Sequence, residues 1–100
     1  MENLMRAVLV DPHEKTVTEV TAEPHQNYDS LVRGQAALTW MTEQCIPGHS
    51  GYVDAHGIFR KQPIWYFQGM GVWGPMLIVG VNDEPARCLP KQVESLVRWA

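Results

Sequence analysis

Gly69-Met70-Gly71-Val72-Trp73-Gly74 has the spacing GxGxxG, in which glycines bring backbone N–H groups up to a dinucleotide pyrophosphate at the start of a helix. Pro75 and the apolar run Met76-Leu77-Ile78-Val79-Gly80-Val81 follow, so a strand stands where that helix must begin, and an inter-strand loop is the better reading. His13, His25, His49 and His56 form no HxH, HxxxH or HExxH pair. Cys45 and His49, with His56 and Cys88, make a zinc site only if the fold gathers them, because metal-ligand pairs normally stand closer in sequence. A cysteine nucleophile with a histidine base needs the same spatial convergence, and Ser50 lacks the flanking glycines of a nucleophile elbow. Asp54 and Asp83 fall at turns, where a carboxylate ordinarily accepts backbone N–H groups. No catalytic group, metal or cofactor is expected from these patterns.

The elements that would position such groups can be read along the chain. Met5 to Asp11 is β-branched and apolar and ends at Asp11-Pro12, and Thr16 to Thr21 returns as its hairpin partner. Val17 and Val20 fall on opposite faces of that second strand, which suits a sheet edge. Asn27 or Asp29 caps a short helix near 28–33 that turns Tyr28, Leu31 and Val32 inward. The stretch after Gly34 is ambiguous. Leu31, Leu38, Met41 and Cys45 share a helical face, whereas Ala36, Leu38 and Trp40 alternate as in a strand, and a strand over 36–43 is expected. Tyr52-Val53-Asp54 and Gly57-Ile58-Phe59-Arg60 predict a tight hairpin, Ile64 to Phe67 a further strand, and Met76 to Val81 a central strand apolar on both faces. Pro90 opens a C-terminal helix over 90–99, with Val93, Leu96, Val97 and Ala100 on one stripe and Glu94 four residues before Arg98. The sum is a single α+β domain over 1–100, with a mainly antiparallel sheet of five or six strands.

Composition narrows the function classes. Of 100 residues, 45% are hydrophobic and 19% charged, which favours a folded core over disorder. A net charge of −3 without basic blocks argues against a nucleic-acid partner, since that affinity comes largely from neutralised phosphates. No apolar run reaches the roughly 20 residues of a membrane-spanning helix. The opening residues Met1-Glu2-Asn3-Leu4-Met5-Arg6 lack a secretory pattern, so a cytoplasmic location with reduced thiols is expected.

The Arg-Ala-Val-Leu-Val-Asp-Pro strand beginning at Arg6, the Tyr-Val-Asp-x-x-Gly-Ile-Phe segment beginning at Tyr52, the aromatic segment after it and the Met-Leu-Ile-Val-Gly-Val-Asn-Asp strand beginning at Met76 follow one another in order. This succession, across residues 5–84, resembles a family of short uncharacterised bacterial proteins carried on plasmids, phages and integrated elements. The glycine-rich aromatic stretch 69–74 departs from the family pattern. The resemblance implies a compact α+β domain with a short helix before Ala36, and no activity.

Four tryptophans, Trp40, Trp65, Trp73 and Trp99, exceed what a core of this size needs. With Met70 and Val72 in the same loop as Trp73, and Trp99 beside the apolar stripe of the last helix, the candidate partner-binding residues are Met70, Val72, Trp73 and Trp99. The function expected is a non-enzymatic small binding domain for a protein partner, acting as a mobile-element accessory on a host factor. The alternatives are a small-ligand-binding domain with a pocket of Tyr52, Trp65, Tyr66 or Trp40, and a cysteine/histidine enzyme. Self-association is expected as well, because exposed apolar loops and unpaired strand edges need covering.

Overall fold

In the computed structural model, which describes residues 4–100, eight strands form two antiparallel sheets. The strands are β1 (Met5–Asp11), β2 (Thr16–Ala22), β3 (Ala36–Thr39), β4 (His49–Asp54), β5 (Ile64–Phe67), β6 (Met70–Trp73), β7 (Met76–Gly80) and β8 (Val97–Trp99). Three helices of five residues, α1 (Tyr28–Val32), α2 (Met41–Cys45) and α3 (Pro90–Glu94), lie between them. The larger sheet has the order β2-β1-β7-β4-β3 and the smaller β6-β5-β8. The α+β expectation therefore holds. No helix of the described residues is long and apolar enough to cross a membrane.

Period-two alternation on β1 and β7 builds two cores. Val8, Val10, Met76 and Ile78 face the smaller sheet and pack with Trp65, Phe67 and Val72, together with Cys88 and Val93. Ala7, Leu77 and Val79 face the other way and are covered by Tyr28 and Val32 of α1. β7 is thus buried on both faces and central, as its unbroken apolar run requires. β2 is an edge strand, with Val17 packed toward one core and Val20 toward the other.

Four local expectations are corrected. The strand expected over 36–43 stops at Thr39, whose hydroxyl accepts the Met41 N–H. The chain then turns into α2, which sets Met41 and Cys45 against the core at helical spacing and inserts Thr42 where Gly51 carries no side chain. Second, no hairpin forms between 52 and 60. The buried Asp54 carboxylate accepts the His56 N–H, and residues 57–62 close into successive turns, Arg60 N–H to His56 O, Lys61 N–H to Ile58 O and Gln62 N–H to Gly57 O. Third, the GxGxxG stretch is strand β6 and not a loop. Gln68 (φ 50) and Gly69 (φ 81) make the two-residue turn that joins β5 to β6, and both positive φ values match the twist of a tight hairpin.

The fourth correction concerns the C-terminus. The helix starts at Pro90 but ends at Glu94, and Val97–Trp99 pairs with β5 in the register Trp65↔Trp99. A continuous helix would leave Trp99 outside the apolar stripe, whereas the strand lays it on Trp65, ring centroids 6.2 Å apart. Arg98 consequently stacks on Tyr66 at 4.6 Å and forms no pair with Glu94.

Candidate functional site

The four residues singled out for partner binding do not share one surface. Val72, 3% exposed, sits opposite Trp65 inside the core, and Trp99 packs half-buried on the same inner side. Met70, two residues from Val72, is half-buried on that face as well. Trp73 alone turns outward, 36% exposed, its ring lying beside Gly71. The misassignment follows from taking β6 for a loop, since pairing with β5 sends alternate side chains to opposite faces.

Trp73 does belong to an apolar surface, but its neighbours come from the turns after β4. A cleft of about 240 Å³ is lined by Met41, Val53, Ile58, Val72 and Trp73. Gly57 has no side chain because the Trp73 carbonyl occupies that space, so the 57–59 turn is pressed onto the end of β6. Ile58 is 54% and Phe59 83% exposed. The same Asp54 interactions that prevent a hairpin thereby put two large apolar side chains into water, and one of them, Ile58, shares the cleft with Trp73. Sequence pattern could have flagged Ile58-Phe59 only by treating Asp54 as a turn-former that outcompetes the strand.

A second cleft, of about 390 Å³, lies between α2 and the segment leading into α3, and it brings together Cys45, His49 and Cys88. His49 Nε2 accepts the backbone N–H groups of Arg87 at 2.9 Å and Cys88 at 3.1 Å, and Nδ1–H donates to Pro47 O at 3.3 Å. Nε2 is spent on tying 87–88 to β4 and Nδ1–H on Pro47, which leaves no lone pair for a metal. Burial pushes both thiols up; for Cys88 it outweighs the nearby Arg6 guanidinium, which acts the other way. Both cysteines are free, and no cluster of three or more metal-ligating side chains exists among the described residues. His56 does not join this cleft.

No family model, curated protein or solved structure matches the chain.

The two aspartates behave differently. Asp54 accepts from Gln35 N at 3.0 Å, His56 N at 3.1 Å, Gln62 Nε2 at 3.0 Å and Arg60 Nε at 2.9 Å. Burial works to raise its pKa, but the Gln62 amide, the two backbone N–H groups and Arg60 together bring it below the ordinary value. Asp83 satisfies no backbone group. Its Oδ1 accepts the hydroxyls of Tyr28 and Tyr52, and its Oδ2 accepts His25 Nε2–H at 2.8 Å. This cluster joins the loop before α1 to β4 and to the turn after β7, and a propensity-based reading had no means of finding it. Tyr52, Tyr66 and Trp40, expected around a ligand pocket, line neither cleft, and Trp65 is wholly buried.

Proposed function

We propose that this domain is a non-enzymatic protein-binding module whose contact surface is the cleft lined by Ile58 and Trp73, together with the exposed Phe59 that follows Ile58 in the same turn. The observation that carries this is the 83% exposure of Phe59 beside the half-exposed Ile58, both held in a turn fixed by the buried Asp54. A large aromatic side chain in water costs solubility and nothing in the core requires it, whereas aromatic anchors over a shaped recess are what interfaces use. The turn is preorganised, so little conformational entropy opposes docking. Lys61, two residues after Phe59 and without an acidic partner among the described residues, suits a partner that offers an apolar anchor flanked by a carboxylate. Binding is favoured over catalysis because His49, the imidazole nearest the thiols, has both nitrogens engaged by backbone. The resemblance to plasmid- and phage-borne proteins makes a host protein, including a defence component, the partner to seek, and a cytoplasmic location accords with that search.

The experiment is affinity capture from the native host with the full chain, run in parallel with Phe59→Asp and with Glu14→Lys in the β1–β2 turn. A partner retained by wild type and Glu14→Lys but lost with folded Phe59→Asp supports the reading. Retention by all three, or no retained protein, overturns it.

A further inference from the structure

The charged and amide side chains that line the cleft between α2 and α3 have only donors to spare. Ile46, Pro47 and Leu96 supply apolar wall, and Cys45 and Cys88 add thiols that burial keeps protonated at neutral pH. The His49 ring is saturated by its three backbone partners. Gln92 spends its Oε1 on the Leu89 N–H at 2.8 Å, which leaves its amide Nε2 as a donor. Arg87 contributes the one formal charge of the lining, and its guanidinium has no ion pair among the described residues. Glu84 lines a neighbouring recess with Arg87 yet does not pair with it. His49 pins the Arg87 backbone, so the base of that side chain is held in place before anything binds.

We propose that this cleft binds a small organic monocarboxylate with an apolar body, the carboxylate on Arg87 and Gln92 Nε2 and the body against Ile46, Pro47 and Leu96. Free guanidinium and amide donors favour an acceptor headgroup, and a planar guanidinium fork matches a carboxylate. A single cation balances a single negative charge, which disfavours a phosphate dianion. The cleft volume of about 390 Å³ lies within the range of small-molecule sites, roughly 300–1,000 Å³, and accommodates a chain of several carbons. This site is separate from the Ile58–Trp73 surface and does not depend on it.

The test is an amide NMR titration of the full chain with hexanoate, and with hexanol and hexylamine as neutral and cationic matches. Saturable shifts at Ile46, Arg87 and Cys88 are expected with hexanoate, weaker ones with hexanol and none with hexylamine. Arg87→Gln, a change at an exposed residue, should weaken hexanoate about tenfold or more, the worth of a charge-assisted hydrogen bond. Alkylation of Cys45, measured independently, should slow as hexanoate saturates the wild-type chain. Absence of saturable hexanoate binding, equal binding of hexanol, or unchanged affinity in folded Arg87→Gln would overturn the proposal.

Discussion

The Tyr52 hydroxyl donates to Asp83 Oδ1 at 2.9 Å, and the acceptor stands in a left-handed backbone conformation (φ 58) directly after Asn82, which is also left-handed (φ 61). Two consecutive non-glycine residues in this region cost about 1–3 kcal/mol each, so the surroundings must hold them there. Tyr28 and His25 supply the remaining hydrogen bonds to the same carboxylate.

Asp83→Asn should therefore destabilise the fold by about 1–2 kcal/mol in urea unfolding, because the amide presents a donor to at least one of three donors. Burial first, and then the hydrogen bond and charge of Asp83, push the Tyr52 pKa up to about 12, and Tyr28 is raised further by the same causes. A folded pKa raised above the unfolded value of 10.0 means stability that is whole below pH 10.0 and is lost as pH rises through about 12. Asp83 itself is lowered, since burial is outweighed by Tyr52, Tyr28 and His25, so its contribution is whole above pH 3.8 and is lost as pH falls below it. In Asp83→Asn, ultraviolet titration should show the Tyr52 transition moved downward.

Gln62 is the second lock. Its Oε1 accepts His13 Nε2–H at 2.9 Å, and its Nε2 donates to Val32 O, Arg33 O and Asp54 Oδ2. The Gln62 side chain fills the space that a Gly74 side chain would need, and Gly74 has φ 93. Gln62→Leu should cost about 2–4 kcal/mol in chemical unfolding, because it leaves a buried carboxylate short of a donor and two carbonyls unpaired. It should also raise the exposure of the 57–61 turn to proteolysis.

Trp65 donates Nε1–H to Gly74 O at 2.7 Å while fully buried between Phe67 and Trp99. Trp65→Phe should lower stability by about 2–4 kcal/mol, combining lost volume with an orphaned carbonyl, measured as a fall in Tm. Acrylamide should quench Trp40, which is 64% exposed, and leave Trp65 silent in single-tryptophan variants.

Phe59→Ser removes an exposed side chain that supports no core residue. Its effect on stability should stay within about 0.5 kcal/mol, while partner affinity falls tenfold or more. Calorimetric unfolding and binding of the captured partner check the two halves separately.

Much of this architecture was legible where hydrophobic period and turn chemistry agree. The β1–β2 hairpin, α1, β5 and the doubly buried β7 follow from Arg6–Asp11, Tyr28/Val32, Ile64–Phe67 and Met76–Gly80. The misses occur where a side chain overrules local propensity. Asp54 gathers four donors and converts an apparent strand at Gly57–Arg60 into turns, and Trp65 recruits Trp99 out of an apparent helix. The first is side-chain hydrogen bonding, mostly to residues within eight positions, and the second a contact across 34 positions, so hydrophobic periodicity reports neither. For the same reason Trp73 was found as a surface aromatic, but in the company of Val72 and not of Ile58 and Phe59.

The most direct measurement is site-specific photo-crosslinking in the native host, with a photoreactive phenylalanine analogue at position 59 and, separately, at Lys15 in the β1–β2 turn. Expected is one discrete heterologous adduct from position 59 and none from position 15. An adduct from position 15 alone, or no discrete adduct from position 59 in a folded chain, would contradict a partner-binding surface built on Phe59.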